Sequence, residues 1–138
     1  TYDPFFKKLF NPDKYPERLS RLISSIIGTK VTVKCILSNE DSMLPSTSLL
    51  LLDIIVQLED GSIANVEIQK IPYTFPGERM SCYSADLLLR QYTRVKGEKG
   101  STFTYQDLKT VYTIVMFENS PKECKDPELS DIYLHGYV

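Results

Sequence analysis

Two apolar runs, LLLLDIIVQL at 49–58 and IANVEIQK at 63–70, are joined by the short segment Glu59-Asp60-Gly61 and Ser62. Such a pattern folds most simply as an antiparallel hairpin, and the turn decides which side chains share a face. A three-residue loop ends on a left-handed residue, and Gly61 stands where that residue belongs. Leu58 then faces Ser62, and counting back along the pair sets Asp53 opposite Glu67. A two-residue Asp-Gly turn would shift the pairing by one and send the two acids to opposite faces. The Glu-Asp-Gly order favours the first.

On that register Asp53, Ile55 and Gln57 share a face with Ile63, Asn65, Glu67 and Gln69. Two carboxylates facing each other at ~5 Å across a hairpin repel, and a divalent cation between them removes the cost. The pattern therefore reads as a metal site on rigid strands. It is equally compatible with two unrelated acids on a half-exposed sheet.

With 138 residues, 42% of them hydrophobic, the chain is long enough for one domain with a real core and too short for two ordinary ones, so residues 1–138 are read as a single domain. A net charge of −2 carries no global basic signature for nucleic acid, although a local basic groove can coexist with it. Cys35, Cys82 and Cys124 are odd in number and lack a CxxC, which suits a reducing, cytoplasmic compartment and argues against a thiolate zinc site. No apolar stretch approaches the ~20 residues of a membrane span, and no signal peptide is evident. The chain begins at Thr1 rather than at a methionine, as a fragment of a longer protein does.

Asp3-Pro4 opens a short helical turn that carries Phe5, Phe6, Leu9 and Phe10 inward. After Pro16, the residues Leu19, Leu22, Ile23, Ile26 and Ile27 keep helical spacing, and Gly28 supplies the stop. VTVKCIL at 31–37 reads as a strand and the following SNEDSMLPSTS as a loop. A long helix is expected from about Glu78 to Val95, burying Met80, Tyr83, Leu87, Leu88 and Gln91, with GEKGS breaking it. The β-branched run TVYTIVMFE at 110–118 reads as a central strand, and IYLHGYV as a last apolar stretch. The order makes a mixed α/β sheet with helices packed against it.

His135, the only histidine, would have to carry any triad chemistry alone, and no HExxH, Walker A or Rossmann glycine pattern is present. What remains is oxygen-ligand chemistry, which suits Mg²⁺ or Mn²⁺ and phosphodiester hydrolysis. On the long helix Arg79, Asp86, Arg90 and Arg94 fall near one face, with Lys96 and Lys99 beyond. The stripe reads either as a set of phosphate contacts or as a solvated outer face with an i, i+4 Asp86–Arg90 pair. Lys7, Lys8, Arg18 and Arg21 form a second basic cluster, open to the same two readings.

Asp53, Gly61 and Glu67-Ile68-Gln69 together resemble the D…ExQ form of the PD-(D/E)XK nuclease motif, in particular the transposase-associated, recombination-promoting nuclease group. Asp3 to Phe10 is similar to that group's D-x-x-F-K-x-x-F start, and Arg79 with Tyr83 and the strand TVYTIVMFEN also match. The likeness runs from Asp3 to about Asn119, and it lies in the order and spacing of short motifs.

The resemblance implies a restriction-endonuclease-like core of αβββαβ order, with a mixed four-stranded sheet flanked by helices. It also implies Mg²⁺-dependent (or Mn²⁺-dependent) DNA cleavage in a transposition or recombination setting, in the bacterial cytoplasm. By carry-over Asp53 and Glu67 hold the metal, and Gln69 stands where the common motif has its lysine. Glutamine can position a water but supplies no positive charge. Lys70 alternates to the opposite face. Arg79, Arg90, Arg94 and Lys7 are the candidate phosphate contacts, DNA is the expected partner, and a homodimer is compatible with the reading. Members of the group commonly continue beyond this length, and a further C-terminal part could hold DNA contacts or an interface. The alternative function is a nuclease-fold module that no longer cleaves and binds protein or nucleic acid.

Overall fold

The computed structural model describes residues 4–11, 13–37, 54–69 and 77–117. Two helices, α1 (Pro4–Leu9) and α2 (Pro16–Ile27), precede three strands, β1 (Val33–Ile36), β2 (Ile54–Leu58) and β3 (Ile63–Gln69). A long helix, α3 (Gly77–Lys99), then leads through two short 3-10 turns to β4 (Val111–Phe117). The four strands form one sheet in the order β1-β2-β3-β4. Neighbours pair antiparallel up to β3, and β3 pairs parallel with β4, so the sheet is mixed. The expected mixed α/β fold with helices flanking the sheet is the fold observed. The Asp3 cap, the loop expected after β1 and the final apolar stretch lie outside the described residues.

Helix α2 starts on Pro16, whose missing N–H is no loss in a first turn, and stops at Gly28 with φ 72°. Its serines tie it to the strand that follows. Ser20 Oγ accepts from Val33 N at 3.0 Å, and Ser24 Oγ accepts from Val31 N at 2.9 Å. The apolar stripe of α2 puts Leu19 and Ile23 at full burial. With Phe6 they cover the sheet face made by Ile54, Val56, Leu58, Ala64, Val66 and Ile114. The opposite face carries Ile55 and Ile63, against which α3 packs Tyr83 and Leu87. Each such aliphatic side chain stabilises the fold by about 1.5–3 kcal/mol relative to exposure.

Four expectations need correcting. Leu9 is 39% exposed rather than inward, because Phe6 and Phe10, four residues apart and in ring contact, take the inward stripe of so short a helix. Leu88 is 44% exposed, since it follows buried Leu87 by one residue and turns ~100° away from the sheet. Helix α3 runs through Gly97 to Lys99 and breaks at Gly100, where φ reaches 56°. A glycine inside a helix costs only ~1 kcal/mol, and the long run of packed helix that precedes it from Gly77 outweighs it. Strand β4, finally, is not central: among the described residues β2 and β3 hold the middle of the sheet and β4 its margin.

Candidate active site

The hairpin between β2 and β3 closes as a three-residue loop. Gly61 adopts φ +90°, its N–H bonds Leu58 O at 3.0 Å, and Leu58 N bonds Ser62 O at 2.8 Å. Asp60 locks the turn from its side chain. Its Oδ1 accepts from Ser62 N and its Oδ2 from Ser62 Oγ, both at 2.9 Å. The strands pair Ile54 with Val66, Ile55 with Asn65, Val56 with Ala64 and Gln57 with Ile63. This is the register on which an Asp53–Glu67 facing pair depends, and it excludes the one-residue shift of a two-residue Asp-Gly turn. Asp53 itself lies outside the described residues.

Alternation along β3 puts Glu67 on the face that α3 covers, with Ile63 and Asn65. Its carboxylate is only 4% exposed, on a strand paired on both sides. From α3, Tyr83 points its hydroxyl at Glu67 Oε1 over 3.4 Å. Arg79, one turn earlier, donates from Nε to that hydroxyl at 2.7 Å. Its Nη2 stands 3.9 Å from the same Oε1, and the Arg79 side chain keeps 38% of its surface in solvent. A cation at the rim thus screens a carboxylate held beneath it. Burial raises the Tyr83 phenol above its usual value, and the negative charge of Glu67 adds to the rise, against a lowering by Arg79. Tyr83 is accordingly a neutral donor toward Glu67 at physiological pH.

Two residues away on the same face, Asn65 is fully buried, and neither of its amide atoms has a hydrogen-bond partner among the described residues. Its register partner on β4, Thr113, meets Ser84 of α3 at 2.8 Å between hydroxyls. The interface of α3 with the sheet is therefore polar around Glu67 and apolar around Ile55, Ile63 and Leu87.

Of the other expected site residues, Gln69 is the last residue of β3, and its side chain lies outside what is described, as does that of Lys7 on α1. Arg94 is half-buried on α3. Arg90 departs from the expected basic stripe. It is 9% exposed, with Nε at 2.8 Å and Nη2 at 2.7 Å from Asp86 Oδ2, and Asp86 itself is 3% exposed. The i, i+4 pair is formed, but it is buried rather than solvated. Sequence reasoning placed Tyr83 in the core and missed the direction of its hydroxyl. The signal available was an arginine and a tyrosine one helical turn apart, on the helix that must cross the face bearing Glu67.

Among the described residues no three His, Cys, Asp or Glu side chains gather, so Glu67 is the one described member of the expected metal set. Its chemistry fits a hard cation, which takes oxygen donors, and the described cysteines, Cys35 and Cys82, are exposed. No described helix is long and apolar enough to cross a membrane.

No curated protein and no solved structure matches the chain significantly. The family model described as PD-(D/E)XK nuclease family transposase matches residues 1–135 of its 138. The mixed α/β sheet with its flanking helices is consistent with the restriction-endonuclease-like fold of that family, and the chain belongs to this family of nuclease-type hydrolases.

Proposed function

We propose that this chain is a divalent-cation-dependent DNA endonuclease acting in transposition or recombination, with Asp53 and Glu67 as the cation's protein ligands. The observation that carries the reading is the buried Glu67 carboxylate on a doubly paired strand, in the register that a facing Asp53 requires. Mg²⁺ or Mn²⁺ would supply a water of lowered pKa and neutralise charge building on the phosphate. Every other contribution comes from the chain. Glu67 is oriented by the Tyr83 hydroxyl. Gln69 accepts and donates hydrogen bonds and so can align the attacking water, while the positive charge that a lysine would bring there is absent. Arg79, at the rim and half in solvent, is the described arginine best placed for a phosphate oxygen, and Arg94 and Lys7 are secondary candidates. The bacterial cytoplasm implied by the resemblance belongs to the same proposal.

The test is nicking of supercoiled plasmid with Mg²⁺ or Mn²⁺, comparing the protein with Asp53→Ala and Glu67→Gln. Cleavage by the unaltered chain alone supports the assignment. Equal cleavage by all three, or by none, overturns it. In the second case retained DNA binding would favour the non-cleaving module, to which the absent motif lysine also points.

A further inference from the structure

The turns after α3 bring three aromatic rings together. Phe103 stands edge-on to Tyr92, with centroids 5.4 Å apart at 88°, and to Tyr105, 5.5 Å away at 73°. Tyr92 and Tyr105 lie nearly parallel, 15° apart with centroids at 6.1 Å. Yet Tyr105 is 75% exposed, the most exposed large apolar side chain among the described residues. With Tyr92 against one face of its ring, that exposure leaves the other face to solvent.

The exposed ring is held, not loose. Thr104 N donates to Asp107 Oδ2 at 2.8 Å and Asp107 N to Thr104 O at 3.0 Å, which closes the turn that carries Tyr105. Lys99, from the end of α3, forms an ion pair with Asp107. A pre-organised aromatic surface loses little entropy when it binds.

The segment that carries the rings is basic in sequence. Between residues 94 and 109, Arg94, Lys96, Lys99 and Lys109 oppose Glu98 and Asp107, four cations less two anions, in a chain whose net charge is −2, and the cation placed against the rings is Lys96. Lys96 bonds the Tyr92 hydroxyl at 2.7 Å and sits 5.1 Å from that ring's centroid. Tyr92 follows Tyr83 by nine residues, so it leaves α3 on the opposite side from Glu67 and ~14 Å further along the axis.

We propose that Tyr105, backed by Tyr92 and Phe103 and flanked by Lys96, is a stacking platform for an unpaired base of single-stranded DNA, separate from the cleavage site. The inference rests on DNA being the substrate. Open ring faces beside cations are the chemistry of sequence-tolerant single-strand binding.

The test is fluorescence anisotropy with labelled oligo-dT in EDTA. Because no cleavage occurs there, a chain that never cuts DNA can still pass or fail. Tyr105→Ala, at an exposed position whose loss does not threaten folding, is expected to weaken binding about ten- to hundred-fold. Tyr105→Phe keeps the ring and is expected to bind like the unaltered chain. Lys96→Gln is expected to reduce the slope of log affinity against log salt by ~0.7. Unchanged affinity in Tyr105→Ala, or no binding by the unaltered chain, overturns the proposal. So does a dimer in sedimentation that Tyr105→Ala dissociates without altering DNA affinity, which would assign the rings to self-association.

Discussion

Replacing Gly61 by alanine tests the link between the turn and the site most directly. At φ +90° a β-carbon meets the neighbouring carbonyl, at a cost of about 1–2 kcal/mol. A β-carbon built at Gly61 also comes 3.3 Å from Lys109 Cγ. That atom belongs to a flexible, exposed side chain that can move aside, so backbone strain is the main term. With a urea m-value of about 1.5–2 kcal/mol/M for a chain of this size, the unfolding midpoint should fall by about 0.5–1.3 M. Circular dichroism in urea measures it. The sign is the informative part. At a position with ordinary negative φ, Gly→Ala stabilises by about 0.4–1 kcal/mol through the unfolded chain. A midpoint that rises, or stays put, therefore refutes the left-handed glycine and with it the three-residue loop on which the Asp53–Glu67 register depends.

Tyr83→Phe keeps the ring against Leu87 but takes the donor from Glu67 and the acceptor from Arg79. We expect about 1 kcal/mol lost in a thermal melt, with nicking slowed about ten-fold, and unchanged nicking would remove Tyr83 from the site. Asp86→Ala leaves the Arg90 guanidinium buried without its carboxylate, at a cost of about 3 kcal/mol or more in chemical denaturation, much of it recovered by changing Arg90 to Met as well. The bond from Lys99, and then the N–H of Thr104, hold Asp107 below its ordinary value of 3.8. Its contribution is present above that pH and lost as pH falls through the lowered value, so Tyr105 ring resonances should lose dispersion in acid. Resonances unchanged down to unfolding would refute the turn's dependence on that carboxylate.

What could be read from the chain beforehand was local. The Gly61 turn, the amphipathic stripe of α2 and its stop at Gly28 each rest on rules spanning a few residues, and they match the structure. What could not be read depends on which neighbour lies across an element. Asp86 and Arg90 have helical pairing distance in any environment, and only the packing of α3 decides that they are buried. A β-branched run such as 111–117 is equally at home in the middle or at the margin of a sheet. Leu87 and Leu88 differ by one residue in sequence and by full burial against 44% exposure in space. The hydroxyl of Tyr83 was invisible for the same reason: its target is sixteen residues away, on another element.

The parallel pairing of β3 with β4 makes the glutamate's strand kinetically two-sided. On its β2 flank β3 is zipped to a hairpin neighbour, a contact that forms on the microsecond scale and reopens locally. On its β4 flank it waits for a crossover through all of α3, a closure with a much larger entropy cost. Amide exchange should then separate the two flanks. The β2–β3 amides would stay protected through fluctuations that release α3 and β4, so Glu67 would lose its Tyr83 lid before it lost its strand.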